Sequence, residues 1–219
     1  MRVKACGPSS IPTGVPRFRA DYAVAGFGRH DGQVKVSSPP VVDPAIARAC
    51  ASADRSVPFG LYLHVPFCAT RCGYCDFNTY TAGELGSASS PETWHNAVAA
   101  ELEAASTLLR PARPVSSIFV GGGTPSLLGA SGLGRLLDRV RDNFEIADDA
   151  EITTESNPES TSPEFFDGLR AAGFTRISLG MQSAAAHVLA VLDRTHTPGR
   201  AVAAAREARA AGFAHVNLD

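Results

Sequence analysis

Residues 60–77 read GLYLHVPFCATRCGYCDF, an apolar strand-like run that breaks at Pro66 into a loop carrying Cys68, Cys72 and Cys75. The cysteines stand at i, i+4 and i+7 in a segment punctuated by proline and glycine. A loop of this kind can wrap three thiolates around one face of an iron–sulfur cube. Such clusters ordinarily take four cysteines, so three leave one iron open to another ligand. A zinc site is the alternative reading. It needs a fourth ligand, for which only His64 and Asp76 are near, both poorly placed.

Working outward from that loop, short apolar or β-branched runs alternate with helical stretches from Phe59 onward, the pattern of a parallel α/β sheet or barrel. Strands are predicted at Gly60–Val65, Ser117–Val120, Glu151–Glu155, Arg176–Leu179 and His215–Leu218, with helices between them. The clearest helix is predicted from Glu92 to Leu109, where Trp94, Val98, Leu102, Ala105 and Leu109 recur at spacings of three and four along one face. Ser90-Pro91-Glu92 opens it with a cap and a first-turn proline. Ser162-Pro163-Glu164 and Thr197-Pro198 predict two further helix starts, and Gly173 and Gly212 stand where left-handed caps are expected.

Residues 1–58 are rich in Pro, Gly and Ser without a sustained period and read as a loosely ordered extension, leaving 59–219 as the core domain. The chain stops at Asp219 directly after an apolar strand-like run, so a longer protein with further elements beyond it is expected.

The chain has 219 residues, 44% of them hydrophobic, which suffices to bury a core. A formal charge of -2 gives no basic field of the kind that gathers on phosphate backbones, so nucleic acid is not an expected partner. No apolar run reaches membrane-spanning length, and the basic N-terminus lacks a continuous signal-peptide core. Five cysteines, three of them crowded into eight residues, fit a metal site in a reducing compartment better than a disulfide framework. A cytoplasmic location follows, with Cys6 and Cys50 as free thiols.

The pattern CxxxCxxC with an aromatic before the third cysteine, here Cys68-Ala-Thr-Arg-Cys72-Gly-Tyr74-Cys75, resembles the hallmark of the radical S-adenosylmethionine (SAM) superfamily. LYLHVPFC, CDFNTY, FVGGGTPSLL, TTESNPES, RISLGMQS, LDRTHT and HVNLD, in this order, are similar to the branch containing the oxygen-independent coproporphyrinogen III oxidases and the haem chaperones of the HemW type. The resemblance implies a partial (β/α)6 barrel, C-terminally incomplete, of which this chain supplies five strands. It also implies a 4Fe-4S cluster on Cys68, Cys72 and Cys75 whose open iron binds SAM. One electron from such a cluster cleaves SAM to methionine and a 5'-deoxyadenosyl radical.

The remaining site residues come from the same likeness, onto strand ends where barrels build their sites. Gly122, Gly123 and Thr124 match the loop that binds the amino-acid end of SAM. Taken alone, a glycine run fits a tight packing turn equally well. Tyr62 and Tyr74 would lie against the ligand. Glu155, Gln182, Arg194 and Asp219 match further SAM contacts, although Glu155 alone could be a solvated acid and Arg194 a cation at a helix C-terminus. His64 and His196 read as structural hydrogen-bonding groups rather than haem ligands.

The oxidases carry a further cysteine two residues after the third ligand, where this chain has Phe77. That departure favours a haem chaperone, with haem, an acceptor protein and a flavodoxin- or ferredoxin-like electron donor as partners. Oxidative decarboxylation of coproporphyrinogen III is the enzymatic alternative.

Overall fold

The computed structural model describes residues 56–81, 90–109, 113–193 and 197–219, with isolated positions 48 and 84. Most of the expected N-terminal extension, Cys6, Cys50, Arg194 and His196 lie outside the described residues.

Five strands form one sheet: β1 (Gly60–Val65), β4 (Val115–Gly122), β5 (Ile146–Ser156), β6 (Arg176–Leu179) and β7 (His215–Leu218). A separate parallel pair, β2 (Phe67–Cys68) and β3 (Tyr80–Thr81), folds the cysteine loop back on itself. The large sheet runs β1-β4-β5-β6-β7, and every pairing in it is parallel. Strictly sequential order matters. Right-handed crossovers taken always in one direction put every helix on the same face, as in a barrel. A doubly wound sheet would instead reverse its order at a switch point.

The helices are α1 (Pro91–Leu108), α2 (Gly129–Asn143), α3 (Pro163–Ala172), α4 (Ala186–Val191) and α5 (Arg200–Ala210). They start where local chemistry satisfies their free N–H groups. The Ser90 side chain accepts from the Thr93 amide at 3.1 Å, and Thr93 Oγ1 accepts from the Ser90 amide at 2.9 Å. Ser162 accepts from the Phe165 amide at 3.2 Å, and Gly173 ends α3 at φ 105°, left-handed as expected. One boundary differs from the sequence reading. Thr197-Pro198 forms a turn, and α5 begins only after Gly199 at φ 80°, because Thr197 gives both its amide and its hydroxyl to Glu159, at 2.7 and 3.1 Å.

Leu63, Val65, Ile118, Val120, Ile152, Ile177 and Leu179 alternate along the strands and face the helices, where all are buried. Phe165, Phe166, Leu169, Phe174 and Phe213 meet them, with Leu133, Leu136, Leu137 and Val140 from α2. Leu102 of α1 is buried in the same core, and Trp94, Val98 and Ala105 pack against it. Phe166 is fully buried, worth about 1.5–3 kcal/mol over its exposed state. The opposite face carries no helix among the described residues. Strand pairing sets Tyr62, Phe119, Thr153, Arg176 and His215 in one row across it, and His64, Gly121, Glu155, Ser178 and Asn217 in the next.

Candidate functional site at the strand ends

The C-terminal ends of the parallel strands surround an open cavity of about 160 Å³. Cys68, Cys72 and Cys75 contribute to its wall, with Gly122–Thr124 from the last residue of β4 onward, Glu155 and Asn157 at the end of β5, Gln182 beyond β6 and Asp219 beyond β7. Motifs far apart in sequence meet there because each follows a strand of the same direction.

The cysteine loop is held from several sides. Tyr80 N–H donates to Pro66 O at 2.8 Å, Arg71 donates to Thr79 O at 2.6 Å, and Cys75 N–H donates to Cys72 O at 3.1 Å. The glycine run after β4 lies directly beneath it, with Gly123 N–H donating to Val65 O and Thr124 N–H to Phe67 O, both at 2.7 Å. A Cβ at Gly123 would run into the Phe67 carbonyl and come within 3.0 Å of Cys68 Sγ, so no side chain fits there. Thr124 Oγ1 donates to Cys68 Sγ at 3.9 Å.

None of the three cysteines is in a disulfide, and all are half-buried. Among the described residues no group of three His, Cys, Asp or Glu gathers as for a single metal ion. His64, one fourth ligand that zinc would need, has both ring nitrogens engaged. Its Nε2 donates to the Asn78 carbonyl at 2.8 Å, which leaves Nδ1 to accept from Tyr62 Oη at 3.1 Å. It is a strut between β1 and the cysteine loop. Three soft thiol donors spread around one cavity wall, over a backbone cradle with no room for a Cβ, suit a multi-iron cluster that takes one thiolate per iron.

Glu155 bends across the glycine run, where its Oε2 accepts from Gly122 N–H at 3.1 Å. Burial raises its pKa above the ordinary carboxylate value, the Gly122 N–H opposes that rise, and the neighbouring Asp219 carboxylate adds to it. Asp219 in turn accepts from Asn217 Nδ2 at 2.6 Å and from the Ser178 hydroxyl. Two close carboxylates, one of them reluctant to ionise, favour a ligand that brings positive charge. Gln182 adopts φ 64° and donates its amide to the Asp219 carbonyl.

The structure thus brings Tyr74, Gly122, Gly123, Thr124, Glu155, Gln182 and Asp219 together with the three cysteines. Tyr62 is not in the cavity wall. It stacks on Phe119 with ring centroids 6.1 Å apart, lower on the bare face, where burial first and Glu155 second raise its pKa. Arg194 lies outside the described residues. Sequence reasoning passed over Asn157 and Asp193, which also line the cavity. Their place within TTESNPES and LDRTHT was the available pointer.

A family model described as the radical SAM superfamily matches residues 62–218. The chain is 65% identical over 162 residues to heme chaperone HemW of Mycobacterium tuberculosis, covering 74% of this chain and 41% of that protein. It is 39% identical over 163 residues to heme chaperone HemW of Escherichia coli, covering 74% and 42%. Among solved structures it is similar to the coproporphyrinogen III oxidase HemN of Escherichia coli, with a TM-score of 0.72 and 31% identity over 83% of this chain and 41% of that one. The chain spans about two fifths of the length of these proteins.

Proposed function

The chain belongs to the radical SAM superfamily, and from that premise we propose that Cys68, Cys72 and Cys75 hold a 4Fe-4S cluster with SAM on its open iron, in a protein that binds haem and passes it to an acceptor. When bound, the cluster supplies the electron that can reduce the sulfonium of SAM. The chain's own residues do the binding and orienting. Gly122 and Gly123 offer a side-chain-free backbone to the amino-acid end of the ligand. Glu155 and Asp219 provide the negative wall for its ammonium and sulfonium, Tyr74 and Gln182 border the same cavity, and Arg194 is a further contact by family likeness.

The observation that carries the haem reading is the 65% identity over 162 residues with a protein named as a haem chaperone. Phe77, in the cavity wall where the oxidases place a cysteine, supports it. An acceptor protein and a flavodoxin- or ferredoxin-like electron donor complete the scheme. Cysteines outside any disulfide at the cavity suit the reducing cytoplasm. No described helix is long and apolar enough to cross a membrane.

The test is a haem titration of the full-length protein alongside an assay with coproporphyrinogen III, SAM and a reductant. Haem binding without protoporphyrinogen formation is expected. Release of protoporphyrinogen would overturn the chaperone reading in favour of the oxidase.

A further inference from the structure

Two non-glycine residues among those described adopt a positive φ, Gln182 at 64° and Asp193 at 49°, and both line the cavity. Left-handed backbone at a residue with a side chain costs free energy and persists only where the surroundings hold it. Gln182 is accounted for by its amide bond to Asp219. Asp193 closes α4, a helix of 6 residues with none buried, so packing against the core does not fix its position.

What α4 does touch is the cysteine loop. Gly73 N–H donates to Leu192 O at 3.2 Å. A Cβ built on Gly73 would run into Asp193 Oδ2, with Cγ at 3.3 Å and Cβ at 3.5 Å, so its three nearest neighbours all belong to Asp193. Gly73 is itself absent from the left-handed region. Asp193 therefore lies directly over the face of Gly73, and a side chain there would have to push its carboxylate aside.

We propose that Asp193 is a positioning residue for the cysteine loop. Its left-handed turn presents the Leu192 carbonyl to the Gly73 amide, and its carboxylate packs against the face of Gly73, bracing the peptide that joins Cys72 to Tyr74 and Cys75. The inference rests on the reading of those cysteines as cluster ligands. Asp193 acts through the loop rather than on the ligand, so its removal changes how firmly the thiols are held.

The experiment compares Asp193→Val and Asp193→Gly with the unaltered full-length protein. Valine, being β-branched, opposes the left-handed turn, whereas glycine permits it. In cluster-free protein, hydrogen exchange at the Gly73 amide should quicken roughly tenfold with valine and stay near the parent rate with glycine. In reconstituted protein, loss of iron to a chelator should be several-fold faster with valine, with glycine between it and the parent. Parent-like exchange and iron loss in the valine variant, or equal defects in both variants, would overturn the brace. Failure of the parent protein to take up iron and sulfide would overturn the proposed function instead, while the exchange measurement would still decide the brace.

Discussion

On the helix side of the sheet Val65, Val120, Ile177 and Leu179 are at most 1% exposed, whereas across the same strands Tyr62 is 59% exposed. One side is a close-packed core of branched and aromatic groups. The other is polar: Arg176 donates to Asn217 Oδ1 at 3.1 Å and to Glu151 at 3.3 Å, and Thr153 donates to Glu151 at 2.9 Å. Alternation along each strand serves both sides at once, since a shift of one residue would exchange them. The packed core thus lies on the helix side, and the cavity at the strand ends.

Four substitutions would break or sharpen this division. Phe166→Ala, on the helix side, should cost about 3–5 kcal/mol of folding stability, read as a fall in the urea midpoint; a loss under about 1 kcal/mol would refute the placement of the core. Gly123→Ala, at the rim, forces a methyl against the Phe67 carbonyl and Cys68 and should cost about 1–3 kcal/mol. It should also cut the iron retained per chain, which Phe166→Ala should not do in protein that remains folded. Arg176→Met removes a partly exposed ion pair and should change stability by under about 1 kcal/mol, so a larger loss would move that network into the structural core.

The smallest change is expected from Glu155→Gln, and its sign depends on pH. Because burial raises the Glu155 pKa, the native state holds more protons than the unfolded one between the ordinary carboxylate value and the raised value. Stability of the ligand-free parent therefore falls as pH rises through that window. The glutamine variant escapes this fall. It should match the parent in acid, be slightly more stable at neutral pH, and bind SAM more weakly there. A melting series against pH in which the variant is the less stable at neutrality would contradict the assignment.

Much of this architecture was legible in the residues. β1, β6 and β7 stand at the predicted positions because their branched apolar runs are bounded by turn residues. β4 and β5 extend further than predicted, to Val115–Gly122 and Ile146–Ser156. Ser116, Ser117, Asp148 and Asp149 interrupt the apolar pattern, yet parallel pairing uses only the backbone. The two-residue strands β2 and β3 carry no periodic signal and exist because the loop closes on itself. The residues that line the cavity stand within the quoted motifs, whereas Tyr62, from the first of them, lies outside its wall beside Phe119 with its ring largely exposed. The meeting of Asp193 with Gly73 joins positions 120 residues apart through one left-handed turn, which no local pattern announces.

The most direct test of the central claim is electron paramagnetic resonance of the dithionite-reduced, anaerobically reconstituted full-length protein, with and without SAM, beside a Cys72→Ala variant. A reduced 4Fe-4S signal that shifts when SAM is added and disappears in the variant is the predicted result. A signal indifferent to SAM, or one that survives loss of Cys72, would contradict a three-cysteine cluster with an open iron.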